Sequence, residues 1–296
     1  MLLPSLLRTC RARGGALAIW WLGLLVASLP AQALAARILH TEPSAFSPIV
    51  VYEERGERCM TFGSLRAAGR QTCQDLANPR RMVFQYTRMV LSGLWLQPRP
   101  QRILIIGLGG GTLPTALAEL VPDATIETVE IDPAVVRVAR TFFGYRPSAR
   151  QSVHITDGRA YVQAALAQPT RYDLIILDAF DVTYIPRHLM TRGFLEEVKA
   201  LLSPTGVLVA NTFSSSQLYA QESATYAAVF GDFHQLQSSN RVVLARPAGL
   251  PSLAELREAA MAWQAALAPY GVETPRLQAM LEGKPAVAPG TAVLED

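Results

Sequence analysis

The chain has 296 residues, 50% of them hydrophobic and 17% charged, a balance that excludes an intrinsically disordered protein. Its 20 glycines and 20 prolines follow no period, which excludes collagen-like and low-complexity architectures. The formal net charge of +3 comes from Arg8, Arg11 and Arg13; the other 24 of the 27 basic residues meet 24 acids, so the body carries no electrostatic footprint for nucleic acid.

Residues 1–36 read as an export leader. The three arginines form a positive start, residues 16–29 are an apolar run, and Ala31-Gln32-Ala33 and Ala33-Leu34-Ala35 are small-x-small cleavage sites. The run is shorter than the roughly 20 residues of a spanning helix. A cleaved signal peptide is therefore the first reading, an uncleaved anchor the second and a buried helix the third. Either of the first two puts the body outside the cytoplasm: periplasmic or secreted, or held to the membrane through this segment alone. Cys10 belongs to the leader. Cys59 and Cys73 remain, either as one disulfide in an oxidising compartment or as two thiols. Four dispersed histidines give no ligand spacing, so no metal site is expected.

Residues 37–79 form a small β-rich segment, with short strands from 38 to about 63 and a turn within 53–58. Residues 80–248 form the main domain. A helix over 80–96, stopped by Pro98 and Pro100, precedes strands at 102–108, 124–131, 153–156, 172–177 and 207–212. Helices reaching 120, then over 133–143, to about 167, over 191–202 and over 217–230 separate them. Apolar strands alternating with amphipathic helices give an α/β fold with a parallel sheet covered on both faces. Residues 233–238 and 241–245 close it as a hairpin. Residues 249–296 add helices over 251–267 and 274–281 and an Ala/Pro-rich tail, expected loose from Gly283.

In such a sheet, ligands bind at the carboxyl ends of the strands. Gly107-Leu108-Gly109-Gly110-Gly111-Thr112 follows the first strand with G-x-G-x-G spacing, common where S-adenosyl compounds bind; a tight structural turn would need the same residues. Glu130 ends the second strand, where a carboxylate can accept both hydroxyls of a ribose, and Asp132 before Pro133 suits a helix cap. Asp157 ends the third, where an adenine amino group could donate to it. Asp178 and Asp181 close the fourth, and such carboxylates can hold a cationic amine and take its proton; loop acids capping the next helix are the alternative.

From Phe84 to Ala245 the chain resembles the polyamine aminopropyltransferases, the spermidine synthase family. The resemblance rests on Phe84-Gln85-Tyr86-Thr87-Arg88-Met89, on Ile106 to Leu113 with the glycine cluster, on Val129-Glu130-Ile131-Asp132-Pro133, on Asp157-Gly158-Arg159-Ala160 and on Tyr172-Asp173 through Asp178-Ala179-Phe180-Asp181. It implies a Rossmann-like, seven-stranded sheet of methyltransferase type with a small N-terminal β-rich segment. It implies aminopropyl transfer from decarboxylated S-adenosylmethionine to a polyamine such as putrescine, with no tightly bound cofactor. Asp178 would deprotonate the amine, Asp181 and Tyr86 would bind it, Glu130 would hold the ribose and Asp157 the adenine, over Gly107, Gly109 and Gly111. The family is commonly dimeric. The chain departs from the family at Gly110, where the glycine loop carries an acid, and at Thr87 and Arg88, where His or Gln and then Glu are usual. It departs again in Val182-Thr183-Tyr184-Ile185-Pro186, which replaces a Pro and a Gly-Pro pair, and in Leu236-Gln237-Ser238-Ser239, which replaces Tyr-Pro-Ser-Gly. Methyl transfer from S-adenosylmethionine and non-catalytic nucleoside or polyamine binding are the alternative functions.

Overall fold

A computed structural model of the chain describes residues 36–65, 69–181 and 184–296. The expected leader, Ala36 apart, lies outside the described residues. Among these, no helix is long and apolar enough to cross a membrane.

Four strands, β1 (Arg37–Glu42), β2 (Ile49–Glu54), β3 (Glu57–Phe62) and β4 (Arg70–Asp75), form an antiparallel sheet in that order. Cys59 and Cys73 face each other across β3 and β4 and are bonded as a disulfide. Two short helices, α1 (Gln85–Val90) and α2 (Gly93–Leu96), stand where one helix is expected; the Ser92 hydroxyl donates to the Met89 carbonyl at 2.6 Å where they part.

The main sheet is then laid down by alternation: β5 (Arg102–Ile106), α3 (Thr112–Leu120), β6 (Thr125–Glu130), α4 (Pro133–Phe142), β7 (Gln151–Ile155), α5 (Gly158–Leu166), β8 (Tyr172–Leu177), α6 (Arg192–Leu201), β9 (Leu202–Phe213) and α7 (Tyr219–Phe230). The hairpin β10 (His234–Gln237) and β11 (Asn240–Ala245) follows. Then come α8 (Leu253–Ala262), α9 (Gln264–Leu267), α10 (Thr274–Met280) and β12 (Leu281–Gly283). The order across the sheet is β12-β10-β11-β9-β8-β5-β6-β7, parallel from β9 to β7 and antiparallel through the hairpin. It has the seven expected strands, with β12 as an eighth at the hairpin's outer edge.

Alternate strand residues build the core on the two faces. Ile103, Ile105, Leu174, Ile176, Val207 and Val209 pack with the layer of α1, α2, α3, α8 and α10. Leu104, Ile106, Ile175, Leu208 and Ala210 pack with residues of α5, α6 and α7. The N-terminal sheet lies on α4: Ile49, Val51 and Met60 are buried with Leu108, Val135, Val138, Phe143 and Tyr145. Polar contacts fix that union, with Ser44 donating to Asp132 at 2.6 Å and Arg58 to the Phe142 carbonyl at 2.7 Å.

The tail expected to be loose is tied down at its end. Arg192 N donates to the Leu294 carbonyl at 2.7 Å, Leu294 N to the Thr225 hydroxyl at 2.9 Å, and Thr191 to the Asp296 carboxylate at 2.6 Å, which also pairs with Arg159. Composition marked the tail as Ala/Pro-rich; its docking depends on partners on α5, α6 and α7 that only the tertiary fold supplies.

Candidate active site

The register of three strands brings the predicted residues together. Ile106 pairs with Val129 on one side and with Leu177 on the other, so Gly107, Glu130 and Asp178 leave the sheet side by side. The amide of Gly107 donates to the Val129 carbonyl and that of Asp178 to the Ile106 carbonyl, both at 2.8 Å. The chain runs from β5 toward β6 and β7, then returns to β8 on the opposite side of β5, which makes this the switch point where open α/β sheets bind ligands.

The glycine loop is required by space. Gly107 has φ +106, and a Cβ there would collide with the Asp178 carbonyl. Gly111, at φ +78, lies against the Tyr145 ring, whereas Gly109 faces open space, so a ligand can approach the backbone there.

Glu130 is half-buried. Its Oε2 accepts from the Leu108 amide at 3.1 Å and its Oε1 from the Asp132 amide at 3.0 Å. Burial holds its pKa above the ordinary range, against the pull of those two amides. A carboxylate offers about four lone-pair positions, so it retains capacity for a diol. Asp132 caps α4, accepting from Ala134 N at 2.8 Å, as its place before Pro133 suggests.

Asp157 caps α5 through Ala160 N at 3.0 Å, and its other oxygen lies 2.7 Å from Nε2 of the exposed His188. Burial raises its pKa, but the Ala160 amide and His188 outweigh this and hold it below the ordinary value. An incoming amino group would have to share or displace the His188 contact, a feature the sequence did not announce.

Asp178 is the centre of the arrangement. Its Oδ1 accepts from Asn211 Nδ2 at 2.8 Å, and the Tyr86 hydroxyl of α1 faces the same carboxylate, where it favours the charged form. Burial pushes Asp178 up to about 7, against both groups, and burial with the Asp178 charge holds the Tyr86 phenol well above its usual range. Asp181 stands at the exposed outer turn, where Tyr184 N donates to its Oδ1 at 2.9 Å. Gly107, Glu130, Asp178 and Tyr86 thus converge, while Asp157 and Asp181 stand on the rim.

The departures from the family pattern also have physical places. Arg88 turns away from the carboxylates to the carbonyls of Val83, Phe84 and Gly271, at 3.2 to 3.4 Å. The Thr87 hydroxyl is spent on the Phe84 carbonyl at 2.8 Å. Gly110 touches Thr72 of β4 and Phe143. Sequence reading missed Asn211 and Asn240, whose Nδ2 donates to Asn211 Oδ1 at 3.0 Å. The available signal was an asparagine in the apolar run Val-Leu-Val-Ala-Asn211.

Residues 83–242 match the model of the spermine/spermidine synthase domain. The chain is 48% identical over 242 residues to a polyamine aminopropyltransferase of Vibrio vulnificus, covering 80% of this chain and 81% of that protein. It is 33% identical over 144 residues to the human eEF1A lysine and N-terminal methyltransferase, covering 43% of this chain and 20% of that protein. Among solved structures, a probable spermidine synthase from Corynebacterium glutamicum shares the fold with a TM-score of 0.70 at 20% identity, over 87% of this chain and 96% of that one.

Proposed function

This chain belongs to the spermine/spermidine synthase family and is a polyamine aminopropyltransferase, and on that premise we propose that its strand-tip site moves the aminopropyl group of decarboxylated S-adenosylmethionine onto the amine of a polyamine such as putrescine. The single observation that carries the residue assignment is the shared register that sets Glu130, Gly107 and Asp178 side by side.

The amine nitrogen forms a bond to the donor's methylene carbon next to sulfur, the carbon–sulfur bond breaks, and its electrons leave with neutral methylthioadenosine. A sulfonium leaving group needs no acid, so the protein's work is in-line positioning and removal of the amine's proton. Asp178 takes that proton; a carboxyl pushed up to about 7 suits a base working near neutrality. Asn211 and Tyr86 aim it. Glu130 holds the ribose hydroxyls, Asp157 the adenine edge, and the backbone at Gly107, Gly109 and Gly111 lets the nucleoside lie on the strand tips. Asp181 attracts the cationic acceptor. No resident cofactor takes part.

A second reading, methyl transfer from intact S-adenosylmethionine, is favoured by Gly110 in the place of the family's acid and by the stretch similar to the eEF1A methyltransferase. Mature protein supplied with decarboxylated S-adenosylmethionine and putrescine should release methylthioadenosine. S-adenosylhomocysteine formed from intact S-adenosylmethionine, with no methylthioadenosine from the decarboxylated donor, would reverse the assignment. Asp178→Asn should abolish transfer while nucleoside affinity, read by thermal stabilisation, stays near that of the wild type.

The leader supports an exported body, periplasmic or secreted or anchored by residues 1–36, and the family supports a homodimer. Cell fractionation with N-terminal sequencing tests the first, and light scattering the second.

A further inference from the structure

The described residues hold a second polar cluster, behind the acidic loop, that the transfer chemistry does not use. Arg241 of β11 is fully buried, and its Nη2 lies 2.7 Å from Oε2 of Glu222 on α7. Its Nε donates to the Thr212 hydroxyl at 2.9 Å and its Nη1 to the Ser223 hydroxyl at 2.7 Å, while the guanidinium sits 4.1 Å from the centroid of the Tyr219 ring. A buried ion pair is tolerable only when its remaining donors and acceptors are met in this way.

The other oxygen of Glu222 accepts from the Ser216 hydroxyl at 3.1 Å and from the Tyr184 hydroxyl at 2.5 Å. Tyr184 comes from the loop after β8. Its amide donates to Asp181 Oδ1 and its carbonyl accepts from the Asp181 amide, each at 2.9 Å. Its ring lies against Phe213, at 5.6 Å, and Phe180, at 6.3 Å. Phe180 adjoins Asp181, and Phe213 is two positions beyond Asn211, which holds Asp178. One side chain therefore ties the exposed turn of the acidic loop to an ion pair in the core.

We propose that Tyr184 is the positioning residue of the amine acceptor site: anchored on Glu222, it fixes the turn that holds Asp181 at the rim of the site. Because Arg241 neutralises Glu222, the anchor does not compete with Asp181 for the cation. The proposal rests on the reading above that the acceptor is a cationic amine.

Tyr184→Phe tests it, since Glu222→Gln would leave Arg241 buried without its counter-ion and unfold the chain. Loss of a hydrogen bond to a charged acceptor should raise the KM for the amine roughly tenfold and leave the donor KM unchanged. In the same variant, hydrogen exchange at the amides of Asp181 and Tyr184 should quicken, also roughly tenfold, while the amides of β8 keep their protection. An unchanged amine KM in an active enzyme, or equal rises in both KM values, overturns the proposal. Wild-type protein that transfers nothing to any amine instead overturns the function reading. Exchange still decides the tether then, and unchanged exchange at the two amides defeats it.

Discussion

Asn211 points its amide nitrogen, not its oxygen, at Asp178: its Oδ1 is occupied by Asn240 Nδ2 at 3.0 Å, which leaves Nδ2 to donate to Asp178 at 2.8 Å. That donor favours the ionised carboxylate, against the burial that pushes Asp178 up to about 7. Asn211→Leu removes it, so the base should ionise later. A lost hydrogen bond of about 1.4 kcal/mol corresponds to about one pH unit, and the acidic limb of kcat/KM for transfer should move upward by that amount. A limb whose midpoint stays in place would remove Asn211 from the mechanism.

Asp178 also makes the fold pH-dependent. In the unfolded chain it ionises near its ordinary value of about 3.9, whereas in the folded protein it keeps its proton to about 7. Between these values the native state binds more protons than the unfolded one, so this group lowers stability as pH rises, and the loss is complete above the folded pKa. Asp178→Asn carries no such loss. It should be more stable than the wild type near pH 8, by at most about 4 kcal/mol, and should lose that advantage near pH 4. Urea denaturation at the two pH values measures the difference; a variant less stable than the wild type near pH 8 would contradict it.

The legible parts of the chain were those whose pattern is local. Tyr172–Leu177 is a strand read to the residue, and Asp178 stands out because it follows the apolar run Leu174–Leu177, whereas Glu130 ends a strand, Thr125–Glu130, in which buried and polar residues are mixed. Arg70–Asp75 was not read as a strand: it lies at the edge of its sheet and buries only Thr72 and Cys73, so its sequence stays polar. The strand Leu281–Gly283 offers a single buried residue, Leu281, and the helical pattern before it runs straight through. Asn211 and Arg241 escaped for a different reason. Each is a polar residue within a strand whose partners lie on distant elements, and only the pairing of β9 with β8 and β11 sets Asn211 by Asp178 and Arg241 by Thr212.

Gly110 is closed to a side chain. A Cβ there would lie 2.8 Å from Thr72 Cγ2 and Oγ1 and 3.3 Å from Phe143 Cγ, and Thr72 is buried in the N-terminal sheet. Restoring the family's acid by Gly110→Asp therefore adds overlap and an unpaired carboxylate in place of a donor-binding group. We expect a loss of about 2 to 4 kcal/mol in stability and weaker nucleoside binding. Thr72→Gly in the same chain should recover part of the stability by opening the space. A Gly110→Asp protein with wild-type thermal stability and faster aminopropyl transfer would refute the steric account.

The disulfide bears on the same loop, because Cys73 adjoins Thr72. Cys59 and Cys73 are 1% and 5% exposed and 14 positions apart, and they staple β3 to β4, the strand that presses on Gly110. Closing a loop of about 15 residues stabilises by about 3 kcal/mol, mainly by restricting the unfolded chain. For a body of this size that corresponds to roughly 6 to 12 °C in Tm. Cys59→Ala/Cys73→Ala should show that drop without reductant, and reductant should lower the wild type toward the double variant while leaving the variant itself unchanged. Nucleoside binding should weaken alongside, since Thr72 is then held by strand pairing alone. Equal Tm values for the variant and the unreduced wild type would mean that the pairing of β3 with β4 needs no covalent help.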